Sequence, residues 1–355
     1  MKFSKILMGI FLVSSTATFS QTVKEINTAT TEFLTTLSED ELKITVHPFL
    51  DSLRTQWTNL PVGLAKRPGI KFGDLSNKSK IKFHHILTTL FSSQGYLKTT
   101  SIMNLDDILN KVYATAYNQK EITEKTYNQI KRLDWDYKNY FVAVWNKPNA
   151  TEPWGLKFGG HHLSINLSVV GDDFSITPLF MGTDPSEVRT TKHAGLRVLS
   201  KEEDYGFLLL NSLSEEQRKI AVISGDTPGD IITDPASTGR IDTYYGIKAV
   251  DMTMAQKNIL ERLIKEYINN MEFEKATSAM QTIKKSGIDT IYFAWIGSHE
   301  PNKPHYYLIN GPDFLIEYDN VGFQKDGNHI HSIWREKGKN FGEDILKTHY
   351  LNHKH

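Results

Sequence analysis

The sequence predicts an α+β fold, in which a helical N-terminal half packs on a mainly antiparallel β-sheet with further helices. Two observations support this class. Up to about residue 135 the apolar residues recur at helical spacing, whereas from Tyr140 onward short runs of aromatic and β-branched residues are typical of strands. These strands follow one another as hairpins, which favours an antiparallel sheet over β-α-β units.

Three segments of the N-terminal half are predicted to be helical. Residues 23–57 are polar with spaced apolar positions. In 74–95 the apolar residues lie three and four apart, with Ser76 as the expected N-cap and Gly95 as the expected end. The same spacing recurs over 105–133. This half of the chain should therefore supply a helical layer.

The strands are expected in the second half of the chain. Residues 140–145 form the first one. Residues 154–170 alternate up to a turn at 171–173, and 174–180 then return as the other arm of a β-hairpin. Further strands are predicted at 291–296, 305–309, 314–318 and 329–334.

Two further helices begin with capping boxes, in which Ser214 precedes Gln217 and Thr253 precedes Gln256 by three residues. Residues 225–243, between these helices, form the longest turn-rich loop, and loops of that length are often functional. A last short helix is expected near the C-terminus.

The composition excludes several classes of protein and of site. The 355 residues carry 41 Lys and Arg against 41 Asp and Glu, so the basic excess typical of a nucleic-acid partner is missing. There is no cysteine, which excludes disulfides, thiolate zinc sites, iron–sulfur clusters and a cysteine nucleophile. Any metal must therefore be held by His, Asp, Glu or Tyr.

Residues 1–20 have the pattern of a secretory signal peptide. Lysines form a positive start, an apolar run follows over 6–13, and small residues precede Gln21. The run is shorter than the ~20 residues of a membrane span. We therefore expect a periplasmic or secreted protein, with a single α+β domain over 21–355 and no membrane span in the mature chain.

The segment richest in chemistry lies on two predicted neighbouring strands. Glu317 and Asp319 lie two apart, so their side chains share a face, and His329, His331 and Arg335 share a face of the next strand. A pair of imidazoles would then lie beside a pair of carboxylates. Neutral imidazole suits Zn, Cu, Fe and Ni, so the pattern favours a metal site over a structural hydrogen-bonded network or a metal-free substrate site.

A second pair of histidines follows two glycines. If the strand is regular, His162, Ser164 and Asn166 form its polar face and His161 lies on the apolar face. His162 is therefore the better ligand on strand phase, although a bulge at the glycines would reverse that phase. His161 would otherwise be a buried histidine of the core.

Several common catalytic motifs are missing from the sequence. It contains no P-loop, no Gly-x-Gly-x-x-Gly after a strand, no Gly-x-Ser-x-Gly elbow and no His-Glu-x-x-His helix. These absences argue against nucleotide enzymes, standard serine esterases and zincin proteases. A Ser/His/Asp site of another kind stays open, because such triads form in space rather than in sequence.

Nine short motifs follow one another along the mature chain. They are WTNLP at 57–61, RPG at 67–69, LFSSQGY at 90–96, WGLKFGGHHLSIN at 154–166, PLFMG at 178–182, GLRVL at 195–199, IEYD at 316–319, HIHSIWR at 329–335 and HY at 349–350. This ordered set resembles a bacterial family of secreted proteins, domain of unknown function 3500. The resemblance covers nearly all of the mature chain and implies a large secreted or periplasmic domain, but it supplies no reaction.

The leading functional hypothesis is a secreted metal-dependent enzyme acting on a small molecule. One divalent transition metal, Zn, Cu or Fe, would be held by four side chains with His161 as a substitute, namely His162, His329, His331 and Glu317. A hydrolase would use the metal to activate water, and an oxidase would use it to activate oxygen. Asp319 would orient a histidine or act as general base, and Arg335 would hold an anionic substrate group.

Two other functions stay open. A periplasmic ligand-binding protein without catalysis could stack Trp154, Trp295 and Trp334 on a sugar or another planar ligand. A metal-independent hydrolase could use Glu317 and Asp319 as its acid and base. The closeness of the histidines in the fold and the metal content of the protein separate these hypotheses.

Overall fold

The computed structural model describes residues 16–235, 241, 243–322 and 325–352, with side chains from residue 21 onward. Most of the predicted signal peptide, up to residue 15, lies outside the described residues. Among those described, no helix combines the length and the apolar character that a membrane crossing requires.

The described part of the chain confirms the α+β class, with ten α-helices and one mixed sheet of thirteen strands. The five helices of the N-terminal half are α1 (Thr16–Leu34), α2 (Glu39–Thr45), α3 (Asn77–Leu90), α4 (Ser93–Asn118) and α5 (Glu124–Lys131). The later helices are α6 (Ser200–Ser212), α7 (Glu215–Ala221), α8 (Met254–Ile268), α9 (Phe273–Ser286) and α10 (Glu343–Asn352).

The strands come almost entirely from the second half of the chain. In chain order they are β1 (Val46–His47), β2 (Ile70–Lys71), β3 (Phe141–Trp145), β4 (Trp154–Gly160), β5 (Leu163–Val170), β6 (Asp173–Ser175), β7 (Leu179–Thr183), β8 (Val222–Ser224), β9 (Ile247–Lys248), β10 (Tyr292–Gly297), β11 (His305–Asn310), β12 (Phe314–Asn320) and β13 (Ile330–Glu336).

The sheet runs in the order β1-β3-β4-β5-β7-β13-β12-β11-β10-β8. The three remaining strands add to it by pairing β2 with β3, β6 with β5 and β9 with β10. Neighbouring strands are antiparallel except for the outer pairs β1 with β3 and β8 with β10. The antiparallel hairpins expected from the sequence therefore form the centre of the sheet, and the parallel pairs lie at its two ends.

The two faces of the sheet have different covers. Alternate strand residues such as Val142 and Tyr318 join helix residues such as Phe83 and Leu263 in the main hydrophobic core. On the other face, small apolar clusters link the strands to long loops and to α10, as where Trp145 packs near Leu346. The polar residues of the central strands thus lie under loops.

Cap residues explain where several helices begin. Ser76 accepts from the Ser79 amide at the start of α3, as predicted, and the two predicted capping boxes form at α7 and α8. Gly95 does not end a helix. It lies in the first turn of α4, where a Cβ atom would be 2.0 Å from the Asn270 carbonyl oxygen, so glycine permits a close approach between the two segments.

The segment 154–170 is two strands rather than the single strand predicted. It breaks at His161 and His162, which form a two-residue turn between β4 and β5. His162 has a left-handed backbone with φ of 60°, uncommon for a residue other than glycine. The phase argument for His162 was therefore wrong, because both histidines are turn residues.

Candidate metal centre

Three imidazoles converge at one end of the central strands. His162 Nε2 lies 2.7 Å from His329 Nε2 and 3.1 Å from His331 Nε2, and the last two atoms are 3.1 Å apart. Among the described residues this is the one group of three side chains placed to share a metal ion. We refer to these three residues as the histidine cluster.

The turn between β4 and β5 fixes His162 in this cluster. The His162 amide donates to the Asn59 carbonyl at 3.4 Å, and its own carbonyl accepts from the Gly182 amide at 2.8 Å. Both backbone groups of this turn residue are therefore engaged by other segments. These two hydrogen bonds hold the His162 side chain in the cluster, although the backbone of this residue lies in the left-handed region of the Ramachandran plot.

The other two histidines of the cluster come from the start of β13. His331 pairs with Gly182 of β7, and His329 precedes the strand by one residue, so the two side chains share a face as predicted. Gly182 leaves room between two rings. A Cβ atom there would lie 3.1 Å from His162 Cδ2 and 3.3 Å from His331 Cδ2.

The loop 225–235 supplies a carboxylate behind His331. The Nδ1–H of His331 donates to Asp230 Oδ1 at 2.6 Å. The Asn59 side-chain amide donates to the other Asp230 oxygen at 3.5 Å. A histidine that donates through Nδ1 presents the Nε2 lone pair on its opposite side. The cluster therefore contains at least one nitrogen set as an acceptor.

His329 has its own support. Its amide donates to Asn320 Oδ1 at 2.8 Å, and its Nδ1 lies 3.5 Å from Asp184 Oδ2. Gly322 lies against the other side, where a Cβ atom would be 2.4 Å from His329 Cβ. Carboxylates thus lie behind two of the three rings.

The surroundings shift the pKa values of the three rings in different directions. Burial, aided by the neighbouring histidines, holds the pKa of His162 and of His329 well below its usual range. Burial also works to lower the pKa of His331, but the hydrogen bond to Asp230 and the nearby carboxylates outweigh it and raise that pKa. The rings of His162 and His329 are therefore neutral near pH 7.

His161 does not join the cluster. Its Nδ1 pairs with Asp106 Oδ1 at 2.7 Å, and its ring stacks between Trp135 and His162. The single proton of the Tyr140 hydroxyl is shared between two acceptors, the His161 carbonyl at 2.8 Å and Asp106 Oδ2 at 3.1 Å. The predicted substitute ligand is consequently a support for the ring of His162.

Glu317 is also outside the cluster, because its carboxylate is fully used elsewhere. It accepts from the Ile232 amide at 2.5 Å, from the Thr233 amide at 3.1 Å, from the Thr233 hydroxyl, and from the Tyr306 hydroxyl at 2.9 Å. Glu317 therefore anchors the loop that carries Asp230, which makes it a poor metal ligand or catalytic acid.

Arg335 binds the same loop. Its Nε–H donates to Thr233 Oγ1 at 3.0 Å and its Nη2–H to the Thr233 carbonyl at 2.7 Å. These contacts do not favour the predicted role in holding a substrate anion.

Asp319 faces His331 across the β12–β13 pair. Burial and the charge of Asp230 raise its pKa to about 7 against the opposing effect of His331. Its Oδ1 is buried and has no hydrogen-bond partner among the residues that the structure describes. Of the predicted carboxylates, Asp319 is the one that keeps a free oxygen next to the cluster.

The three tryptophans proposed to stack on a ligand are core residues. Trp154 and Trp295 are fully buried, and Trp334 is 2% exposed. Their indole faces pack against other side chains in the main core. The structure thus places no ligand-stacking surface at these positions.

A family profile described as protein of unknown function, DUF3500, matches residues 19–343. The chain belongs to the DUF3500 family. This confirms the resemblance inferred from the motifs. No curated protein and no solved structure matches the chain.

A cavity of about 360 Å³ approaches the cluster of this DUF3500 protein from the side of His329. Its lining includes Val112 and Tyr113 of α4 and also Asp184. The volume is in the range of small-molecule sites. A substrate could therefore approach the cluster without displacing the core.

Four supporting residues were not predicted from the sequence. Asp230 lies in the loop 225–243, whose length was the signal that pointed to it. Asn59 and Asp184 lie within or just after motifs shared with the DUF3500 family, whereas Asp106 lies on a helix with no distinctive spacing.

Proposed function

We propose that this DUF3500 protein is a secreted metal-dependent enzyme, a hydrolase or an oxidase, whose histidine cluster binds one divalent transition metal. The observation that carries the proposal is the convergence of the three Nε2 atoms of His162, His329 and His331. Carboxylates behind His329 and His331 support it, because such partners orient metal-binding imidazoles.

A shared cation explains the cluster better than hydrogen bonding among the rings. A neutral imidazole has one N–H donor, and His331 uses its donor on Asp230. One proton can bridge two of the nitrogens but not three. A metal ion accepts the lone pairs of all three at once, which removes the repulsion between them.

The spacing also suits a first-row metal. Three nitrogens bound tetrahedrally to one ion at 2.0–2.1 Å lie roughly 3.3 Å apart. The separations in the structure are 2.7–3.1 Å, so small ring movements would complete the geometry. An all-imidazole set suits Zn, Cu, Fe or Ni rather than Mg or Ca.

Three protein ligands leave a coordination position for water, oxygen or substrate, as catalytic sites require. In the hydrolytic form the metal would lower the pKa of bound water towards ~7, and in the oxidative form it would activate oxygen. Asp230 would hold the ring of His331, and the free oxygen of Asp319 is the candidate proton acceptor.

Metal analysis of the untagged protein tests the proposal. We expect about one Zn, Cu or Fe per chain after purification or reconstitution, and loss of that metal in His329→Ala/His331→Ala. His85→Ala, which removes an exposed histidine of α3, is the matched control and should keep the metal. Absence of metal in the wild type after reconstitution, or equal binding by all three proteins, would overturn the proposal.

The identity of the metal then directs the search for the reaction. A zinc protein would be screened with ester, amide and phosphate substrates, and a copper or iron protein for substrate-dependent oxygen consumption. Activity that disappears with a chelator and returns with the metal supports the enzyme hypothesis. A tightly bound metal without turnover in either screen would favour a binding role.

Secretion is a separate part of the proposal and rests on the pattern of residues 1–20. The mass of the protein recovered outside the cytoplasm should correspond to a chain that begins at Gln21. Recovery of the full-length chain from the cytoplasm would contradict it.

A further inference from the structure

A second cavity lies on the loop-covered face of the sheet, between β4 and the loop 53–68. Its volume is about 200 Å³. Lys157, Arg67 and Lys66 line it together with polar and apolar residues, and no Asp or Glu is among its lining residues in the described part of the chain. The cavity therefore has a cationic lining without the carboxylates that would neutralise it.

Lys157 is the innermost of these cations. It lies on β4 and is 8% exposed. Its ammonium donates to the Leu53 carbonyl at 2.8 Å and to the Gln56 carbonyl, and it lies 5.1 Å from the centre of the Trp145 ring. An ammonium has three N–H donors, so one is left after these two bonds.

Arg67 provides the second positive charge. Its guanidinium donates to the Ala65 carbonyl at 3.0 Å, to the Gly160 carbonyl at 2.8 Å, and to the carbonyls of Thr58 and Leu60. All of these acceptors are neutral. Among the described residues, no carboxylate lies within 4 Å of either Arg67 or Lys157.

Two enclosed cations without an acidic partner are costly to bury. Burial, aided by the charge of Arg54 and opposed by that of Asp51, lowers the pKa of Lys157 to about 7. Burial also lowers the pKa of Arg67 to about 10. The two other buried lysines of the described residues, Lys98 and Lys275, are paired with glutamates. Lys98, for example, contacts Glu202 at 2.8 Å and Glu266 at 2.7 Å.

We propose that this cavity is a binding site for a small oxyanion, a carboxylate- or phosphate-sized group held by Lys157 and Arg67. Its volume is below the range of drug-sized ligands, which favours a small anion over a large ligand. The Ser164 side chain also lines the cavity and offers a neutral polar group. The site replaces Arg335 as the place where this protein holds an anion, and it does not depend on a metal in the histidine cluster.

Calorimetry on the untagged full chain tests the site. Inorganic phosphate, sulfate and acetate are titrated separately at an ionic strength kept constant with chloride. We expect saturable binding of at least one of them, and the preferred probe tells a phosphate-type ligand from a carboxylate. No saturable binding of any of the three would overturn the proposal.

Substitutions locate the binding. Loss of a charge-assisted hydrogen bond predicts binding roughly tenfold weaker or worse in Lys157→Met. Lys24→Met removes an exposed lysine of α1 and should bind as the wild type does. Equal affinity of Lys157→Met and the wild type would overturn the assignment.

A second variant covers the case in which Lys157→Met does not fold. Ala65→Phe reduces the space at a residue that lines the cavity and leaves both cations in place. It should weaken anion binding by the same order as Lys157→Met does. Unchanged affinity would again contradict the site. Metal content is measured in the same samples, so failure of the metal proposal and failure of this one are seen separately.

Discussion

At the scale of single residues, two glycines decide whether the imidazoles can meet. Gly182 lies between His162 and His331, and Gly322 lies against His329. Glycine is required at Gly182 for space rather than for an unusual backbone, because its φ is not positive. The histidine cluster therefore depends on the lack of a side chain at Gly182 as well as on the three imidazoles.

We expect Gly182→Ala to weaken metal binding by roughly tenfold or more, because the new Cβ would press on two of the rings. A Cβ there would also lie 2.5 Å from the Ile330 carbonyl oxygen, and such overpacking costs about 1–3 kcal/mol of unfolding free energy. Competition with a chromophoric chelator measures the affinity, and urea unfolding measures the stability.

The control is Gly225→Ala, where a Cβ would meet no atom of the described residues within 4 Å. It should leave both quantities near their wild-type values. Wild-type metal affinity in Gly182→Ala would contradict the role given to this glycine.

At the scale of elements, one loop joins the sheet to the site. Glu317 of β12 accepts hydrogen bonds from Ile232 and Thr233, and Asp230 of the same loop holds His331. Arg335 of β13 fixes the loop from the neighbouring strand. Glu317 and Arg335, which were predicted to act in catalysis, thus hold the loop 225–235, and this loop positions His331 through Asp230.

We expect Glu317→Gln to destabilise the protein by about 1–3 kcal/mol, because the amide NH2 group would face donors that the carboxylate now satisfies. Metal affinity should fall as well, since the loop carries Asp230. Glu215→Gln, at an exposed position of α7, is the matched control. If the variant retained wild-type stability and metal affinity, Glu317 could not be the anchor of this loop.

At the scale of the whole molecule, the buried rings make folding stability depend on pH. His305 is fully buried, its Nδ1–H donates to the Lys303 carbonyl at 2.8 Å, and its ring stacks on Trp295. Burial lowers its pKa to about 4. The folded chain therefore keeps His305 neutral at pH values at which the unfolded chain protonates it.

The direction in which the free energy of unfolding changes with pH follows from the difference in proton binding between the two states. Below the unfolded pKa of about 6.5 the unfolded state binds a proton that the folded state does not, so stability falls as the pH decreases from 6.5 to 4. For a difference of this size the loss due to His305 is about 3 kcal/mol at pH 4. His305→Asn should remove that part of the slope.

Urea unfolding from pH 7 to pH 4 measures the slope for the wild type, for His305→Asn and for the control His85→Asn, which changes an exposed histidine. The wild type and the control should lose about 3 kcal/mol more than His305→Asn over this range. Parallel slopes for all three proteins would mean that His305 does not titrate as its burial implies.

Much of the fold was predictable because its signals are local. Apolar spacing identified α3 and α4 as helical segments, and Ser76, Ser214 and Thr253 marked helix starts that the structure confirms. The break at His161 and His162 was not predictable, because a histidine turn lacks the Gly or Asn that usually signals a hairpin.

The α+β class, the family and the shared face of His329 and His331 could be read from the residues alone, since a strand repeats every two residues whatever surrounds it. The contact of His162 with these two rings, the pairing of His161 with Asp106 and the anchoring of a loop by Glu317 emerge only in the folded chain. Each of these contacts joins segments more than 50 residues apart, so it depends on the order of the strands and the path of the loops.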